Sequence, residues 1–200
     1  IHQPVKFGAN LVVHSATKFM DGQGRVLGGI ITGTKELIAP VRFFCRHTGP
    51  SMSPFNAWVL SKSLETLELR MERHCANAQT VAEYLATHPA IAKVNFTGLP
   101  EHPDYELSKR QMRLPGAVMS YELKGGLDAG KQFINKLQMC VRAISLGTVD
   151  TLVSHPASMS HFGIPREERI KYGITDGLIR MSVGIENIED ILNDLDQALK

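Results

Sequence analysis

Ser15-Ala16-Thr17-Lys18 places two hydroxyls and one primary amine within four residues, directly after the apolar stretch Leu11-Val12-Val13. An amine at the end of a strand can form a Schiff base with a carbonyl, provided its surroundings do not keep it permanently charged. Hydroxyls beside it, together with backbone N–H groups, suit a phosphate. The chemistry to which these residue types point is that of a covalently held aldehyde cofactor bearing a phosphate. A lysine taken alone is more often a solvated surface charge. Here the strand before it matters, because its near-continuous apolar character is that of a buried parallel sheet, and such sheets bind ligands beyond the carboxyl ends of their strands.

A second candidate is Arg180, which interrupts the apolar run Leu178-Ile179-Arg180-Met181-Ser182-Val183. A guanidinium in that setting needs a partner, because unpaired buried charge is expensive. The partner is either a carboxylate of this chain or one carried by a ligand. His155 and His161 flank a short loop, but no Cys, Asp or Glu cluster completes a metal site around them, so they read as scaffold or pocket residues. The glycines of Gly22-Gln23-Gly24-Arg25-Val26-Leu27-Gly28-Gly29 do not make a dinucleotide fingerprint, since that motif opens a helix and these lead into another apolar strand, Ile30-Ile31-Thr32. A tight turn after the lysine is their expected task.

The elements that must position these residues follow from periodicity. Residues up to about Pro40 read as strand, loop, strand and a short helix. Ser53-Pro54 starts a helix, with Ser53 as N-cap. Beyond it Leu60, Leu64, Leu67, Met71, Cys75, Ala78, Ala82 and Leu85 recur at helical spacing until His88-Pro89, which predicts one long helix or two abutting ones. Val94-Asn95-Phe96, Val118 to Leu123, Ile144-Ser145-Leu146, Leu152-Val153 and Leu178 to Val183 read as short strands. Helical stretches near 128–138 and 187–199 interrupt them, the last capped by Asn187. The fold class is α/β, with an α+β layer and an antiparallel sheet after the long helix. The expected division is 1–66 and 67–200.

Composition narrows the partners. At 43% hydrophobic and 21% charged the chain is an ordinary globular protein. A net charge of +2 without a block of Lys or Arg argues against nucleic acid, and no apolar run reaches the length of a membrane span. Cys45, Cys75 and Cys140 are isolated and odd in number, which fits reduced thiols in a cytoplasmic protein. Ile1-His2-Gln3-Pro4 has neither an initiator methionine nor the features of a signal peptide, and it runs within a few residues into what reads as an interior strand, so the chain is expected to begin in the middle of a domain.

His14-Ser15-Ala16-Thr17-Lys18-Phe19, with the glycines that follow, resembles the signature of the Cys/Met-metabolism family of pyridoxal-phosphate (PLP) enzymes, His-Ser-x-Thr-Lys-Tyr followed by glycines. Phe19 stands where tyrosine is common. The resemblance implies that Lys18 is the Schiff-base lysine and that Ser15 and Thr17 contact the cofactor phosphate. Arg180-Met181-Ser182-Val183-Gly184-Ile185-Glu186 is similar to the family's Arg-Leu-Ser-Val-Gly-Ile-Glu, whose arginine grips the substrate α-carboxylate in a bidentate pair. Ser145-Leu146-Gly147 resembles the family's Ser-Leu-Gly-Gly, where the serine lies beside that carboxylate; Thr148 replaces the second glycine. His155-Pro156-Ala157-Ser158-Met159-Ser160-His161 resembles a loop near the family's active site.

By the same resemblance the fold is the end of a fold-type I (aspartate aminotransferase-like) PLP domain followed by a smaller carboxyl-terminal α+β domain. The runs Asp21 to Gly29 and Gly49 to Trp58 are most similar to members that use sulfide to displace succinate from O-succinylhomoserine, giving homocysteine. Methionine γ-elimination and cystathionine synthesis or cleavage are the alternatives within the family. The implied partners are a small amino-acid substrate, the amino-terminal half of the same protein, which in the family supplies the ring-stacking tyrosine and the pyridine-binding aspartate, and further subunits in a dimer of dimers. A reading of another class, a non-catalytic dimerisation fragment, would be favoured by degraded phosphate and lysine residues; Ser15, Thr17 and Lys18 are intact.

Overall fold

The computed structural model describes residues 1–200. After a short turn of 3-10 helix at Pro4–Phe7, β1 (Leu11–Ser15) and β2 (Gly29–Gly33) form a two-stranded antiparallel ladder with Leu11 opposite Gly33 and Ser15 opposite Gly29. This corrects the expectation of a buried parallel strand. Residues 16–28 fold back on themselves, so β2 returns beside β1 in the opposite direction, and Val13 is 70% exposed.

Three helices follow, α1 (Lys35–Thr48), α2 (Pro54–Leu64) and α3 (Leu67–Thr87). α1 runs past Pro40, where a short helix was expected to end; Pro40 lies in its second turn, and the helix stops at Gly49, whose φ of +94° only glycine adopts freely. Ser53 caps α2 as predicted, its hydroxyl accepting the Asn56 N–H at 3.1 Å. The long apolar stripe resolves into two abutting helices, with a break at Glu65 and Thr66.

The remaining elements are β3 (Ile91–Asn95), α4 (Tyr105–Gln111), β4 (Val118–Leu123), α5 (Gly126–Lys136), β5 (Val141–Arg142), β6 (Leu152–Ser154), α6 (Arg166–Lys171), β7 (Leu178–Ser182) and α7 (Ile188–Leu199). Five strands form a mixed sheet in the order β3-β4-β7-β6-β5, antiparallel except for the β5–β6 pair. Ile144, Ser145 and Leu146, expected in a strand, lie in irregular backbone just beyond β5.

The main core is built between this sheet and α3, α5 and α7, with Val81, Leu85, Tyr121, Phe133, Ile179, Met181, Ile191 and Leu195 among its buried members. α7 is amphipathic, and Asn187 caps it by accepting the Glu189 N–H at 3.0 Å. A separate small cluster, Ala16, Val26 and Leu60, holds the turn after Lys18 against α2. No helix is long and apolar enough to cross a membrane.

Candidate active site

The segment between β1 and β2 is folded by its own hydrogen bonds. The Ala16 N–H donates to the Gly28 carbonyl at 2.9 Å, Asp21 N–H to Ala16 O at 3.0 Å, and Gly22 N–H to Lys18 O at 2.8 Å. Asp21, 1% exposed, is the hub: its carboxylate accepts from the backbone N–H of Gln23 (3.3 Å) and Arg25 (2.7 Å) and from Arg25 Nε (3.1 Å). Burial pushes the Asp21 carboxyl up, but these donors outweigh it and hold the group below the usual carboxylate range. Arg25 reaches on to Ser63 Oγ in α2 at 2.7 Å. Thr17 Oγ1 accepts the Gly28 N–H at 3.2 Å, so this hydroxyl already ties the loop shut. Ser15 is exposed at the end of β1.

Lys18 Nζ lies 3.3 Å from Ser145 Oγ, across 127 residues of chain. Arg180 Nη2 donates to the carbonyl of Ile144 and, at 2.7 Å, to that of Ser145. Ser145 therefore joins the amine, through its side chain, to the guanidinium, through its backbone. Arg180 makes no ion pair with a carboxylate of this chain, and its Nε is buried with no hydrogen-bond partner. An orphaned buried donor is costly, and burial lowers the pKa of this guanidinium. Of the two partners left open for Arg180 by the sequence, a carboxylate of the chain is not the one observed.

Gly147 explains how the segment after Ser145 comes so close. Its φ is +82°, and a Cβ there would lie 2.7 Å from Phe19 N and 3.0 Å from Lys18 C. Its N–H donates to Ser182 Oγ at 3.0 Å, while the Val149 N–H donates to Gly22 O at 2.8 Å. Backbone is packed directly on backbone, so Lys18 and Ser145 are held by the chain itself and not only by side chains. His155 is fully buried, with Nδ1 at 2.8 Å from Ser158 Oγ and Nε2 at 2.7 Å from Asp176 O. Both its ring nitrogens are taken up by these two partners, and no cluster of three or more His, Cys, Asp or Glu is placed to hold a metal ion.

Sequence reasoning missed Arg70, His74 and Asn77, all buried on α3. Arg70 donates to Phe19 O (2.7 Å) and Met20 O (3.2 Å), immediately after Lys18. His74 Nδ1 lies 2.7 Å from Val183 O, and Asn77 Nδ2 donates to Gly184 O (3.1 Å) and Glu186 O (2.9 Å), just beyond β7. The available signal was their spacing: polar residues at 70, 74 and 77 recur with helical period alongside the apolar stripe.

This donor set fits a phosphate-bearing aldehyde and an amino-acid carboxylate. An amine sits at the turn after a strand, the Ser15 hydroxyl is accessible at the strand end, and Arg180 keeps a buried N–H without an acceptor. The model of the Cys/Met metabolism PLP-dependent enzyme family matches residues 1–200. L-methionine gamma-lyase of Porphyromonas gingivalis is 50% identical over 201 residues, covering 100% of this chain and 50% of that protein. O-succinylhomoserine sulfhydrylase of Pseudomonas aeruginosa is 45% identical over 199 residues, covering 100% of this chain and 49% of that protein. The crystal structure of cystathionine gamma synthase from Xanthomonas oryzae pv. oryzae, in complex with aminoacrylate and cysteine, aligns with a TM-score of 0.94 at 41% identity over 99% of this chain and 51% of that one. The chain spans about half the length of the relatives it matches. With its whole length matched and its α/β fold with a mixed sheet shared, the chain belongs to the Cys/Met metabolism family of PLP-dependent enzymes.

Proposed function

We propose that this chain is the carboxyl-terminal half of a PLP-dependent enzyme that replaces the γ-substituent of O-succinylhomoserine with sulfide, giving homocysteine and succinate. The observation that carries the reading is the convergence of Lys18, Ser145 and Arg180 at one point between the β1–β2 turn and β7. Lys18 would hold the cofactor, with Ser15 and Thr17 beside its phosphate; PLP, when bound, supplies the electron sink that stabilises negative charge next to the substrate nitrogen. Lys18 Nζ is also the base placed to take and return protons at the substrate Cα and Cβ.

Arg180 binds the α-carboxylate. The carbonyls of Ile144 and Ser145 hold the guanidinium at Nη2, and its Nε keeps a hydrogen bond unmade within the chain. Ser145, between the amine and the guanidinium, orients the substrate relative to both. The choice of sulfide-dependent replacement rests on the turn Asp21 to Arg25, whose Asp–Gly–Gln–Gly–Arg sequence resembles the sulfhydrylase members and which directly follows Lys18. A second reading, γ-elimination from methionine, is supported by the 50% identity to the Porphyromonas enzyme.

The whole activity belongs with an amino-terminal half and with further subunits. Supporting this are the half-length match and the exposed Phe43, Phe44, Phe55 and Trp58 on α1 and α2. The break at Glu65 and Thr66 is the proposed boundary between residues 1–66 and 67–200. The test is to load the full-length protein with PLP and supply either O-succinylhomoserine with sulfide or methionine alone. Homocysteine with succinate supports the first reading and thiol release from methionine the second; neither product would refute both.

A further inference from the structure

We propose that Arg70 is a positioning residue for Lys18, and that together with His74 and Asn77 it makes α3 the strut that sets the separation between the lysine and the arginine of the site. The inference rests on Lys18 being the cofactor lysine.

Arg70 is 8% exposed, and its guanidinium is spent almost wholly on backbone. Nη1 donates to Phe19 O, Nη2 to Met20 O and, at 2.9 Å, to Ser63 O; Nε donates to Thr66 Oγ1 at 3.2 Å. It has no ion pair within 4 Å, although the Asp21 carboxylate lies close enough to favour its charge. A buried arginine is an expensive way to fill space, since an apolar side chain of similar volume commonly serves stability as well or better. What an apolar side chain cannot do is satisfy carbonyls.

The carbonyls in question are those of the two residues after Lys18, in a loop without a sheet ladder of its own. Left without donors, buried carbonyls are costly and the backbone rearranges to find others. Gly22 completes the fit: a Cβ there would lie 2.3 Å from Arg70 Nη1, so the loop carries no side chain where the guanidinium enters.

Four and seven residues along the same helix, His74 and Asn77 take the carbonyls of Val183, Gly184 and Glu186, directly past the strand that bears Arg180. The His74 ring also meets Phe19 almost at a right angle, with ring centroids 5.3 Å apart. One rigid helix thus grips both halves of the site by their main chains. In a helix residues 70, 74 and 77 share a face at fixed rise, so the two grips cannot move independently.

The experiment uses the full-length PLP-loaded enzyme and two variants, Arg70→Lys and Arg70→Met. Readouts are kcat and KM, the pH midpoint of the cofactor's visible absorption, and borohydride trapping at Lys18. Displacement of the amine predicts that Arg70→Met loses roughly tenfold to hundredfold in kcat, with KM changed by no more than about threefold because the carboxylate grip is intact. It also predicts a shifted absorption midpoint. Arg70→Lys, which keeps the charge and can serve one carbonyl at a time, recovers part of both.

A fall in melting temperature with kcat and the midpoint as in wild type would assign Arg70 to structure alone and overturn the proposal, as would loss of the fold in both variants. Wild-type enzyme trapped on a lysine other than Lys18 would instead overturn the assignment on which the proposal stands.

Discussion

Gly147→Ala perturbs the site where backbone packs on backbone, without removing a functional group. Two costs can be separated. The first is conformational: φ of +82° costs a non-glycine residue about 1–2 kcal/mol. The second is steric, because the new Cβ would lie 2.7 Å from Phe19 N, where ordinary contact begins at 3.4 Å, so the Lys18–Phe19 backbone or the Gly147 segment must yield by about 0.7 Å. At about a hundredfold in rate per ångström of misplacement, that corresponds to roughly tenfold to thirtyfold in kcat.

Gly49→Ala is the matched control. Its φ is +94°, but nothing lies within 4 Å of the position a Cβ would take. Within this chain it bears the conformational cost alone. Both variants should melt lower, by about 2–4 °C per kcal/mol for a domain of this size, whereas only Gly147→Ala should lose kcat. Steady-state kinetics and thermal melts of the two full-length variants decide it. Equal activity in the pair would show that the backbone contact between the 144–149 segment and Lys18 does not set the reaction geometry.

Arg180→Ala should leave the substrate carboxylate without its partner, a loss of about 3–5 kcal/mol, which at about 1.4 kcal/mol per tenfold is two to three orders of magnitude in kcat/KM; cofactor absorption should be retained, and near-normal efficiency would contradict the role. Borohydride reduction of the PLP-loaded full-length protein should label a single peptide containing Lys18, and Lys18→Ala should abolish the label. Asp194 accepts the N–H groups of Gln138 (2.9 Å), Met139 (3.0 Å) and Cys140 (2.7 Å), the turn that leads from α5 into β5. Burial pushes its carboxyl up, but these donors and Gln197 outweigh it and hold it below its ordinary value. The stability this gives is present at neutral pH and is lost as pH falls through the depressed value, so Asp194→Asn should melt lower at pH 7 and the gap should begin to narrow below about pH 4, closing only beneath the depressed value. A gap independent of pH would show that the carboxylate charge is not what holds the turn.

Much of the fold was legible because local signals and tertiary structure agree. The caps at Ser53 and Asn187, the stripe of α3 and the short strands β4 and β7 are each read from the sequence, and each forms where expected. Misreadings arose where the decisive partner is remote. Leu11-Val12-Val13 looks like a buried strand, but pattern cannot say whether its neighbour runs parallel. The residues at 144–146 are apolar enough for a strand, yet their backbone is held by Arg180 and by the packing of Gly147 on Lys18. In the site, Lys18 and Arg180 were visible because each is a charge against an apolar background. Arg70 was not, because an arginine on a long helix is normally exposed; its spacing with His74 and Asn77 was a signal of a shared polar face, but the carbonyls it holds lie about 50 residues away in sequence.

The pleat of β7 explains how Arg180 can lie inside an apolar strand and yet outside the core. Ile179 and Met181 are fully buried and face the core, Met181 opposite Met119 and Val153. Arg180 and Ser182, at alternate positions, turn to the other face. There Ser182 Oγ accepts the Gly147 N–H and Arg180 holds Ile144 and Ser145, so two successive side chains of that face dock the segment that in turn carries Ser145 to Lys18. A slip of one residue would send the guanidinium into the core and a methionine into the site. The β4 and β6 partners pin the register from both sides, Ser120 and Ser154 lying opposite Arg180. The apolar residues of β7 therefore do more than fill the core: by fixing which face is buried, they put the arginine on the side where Ser145 links it to the lysine.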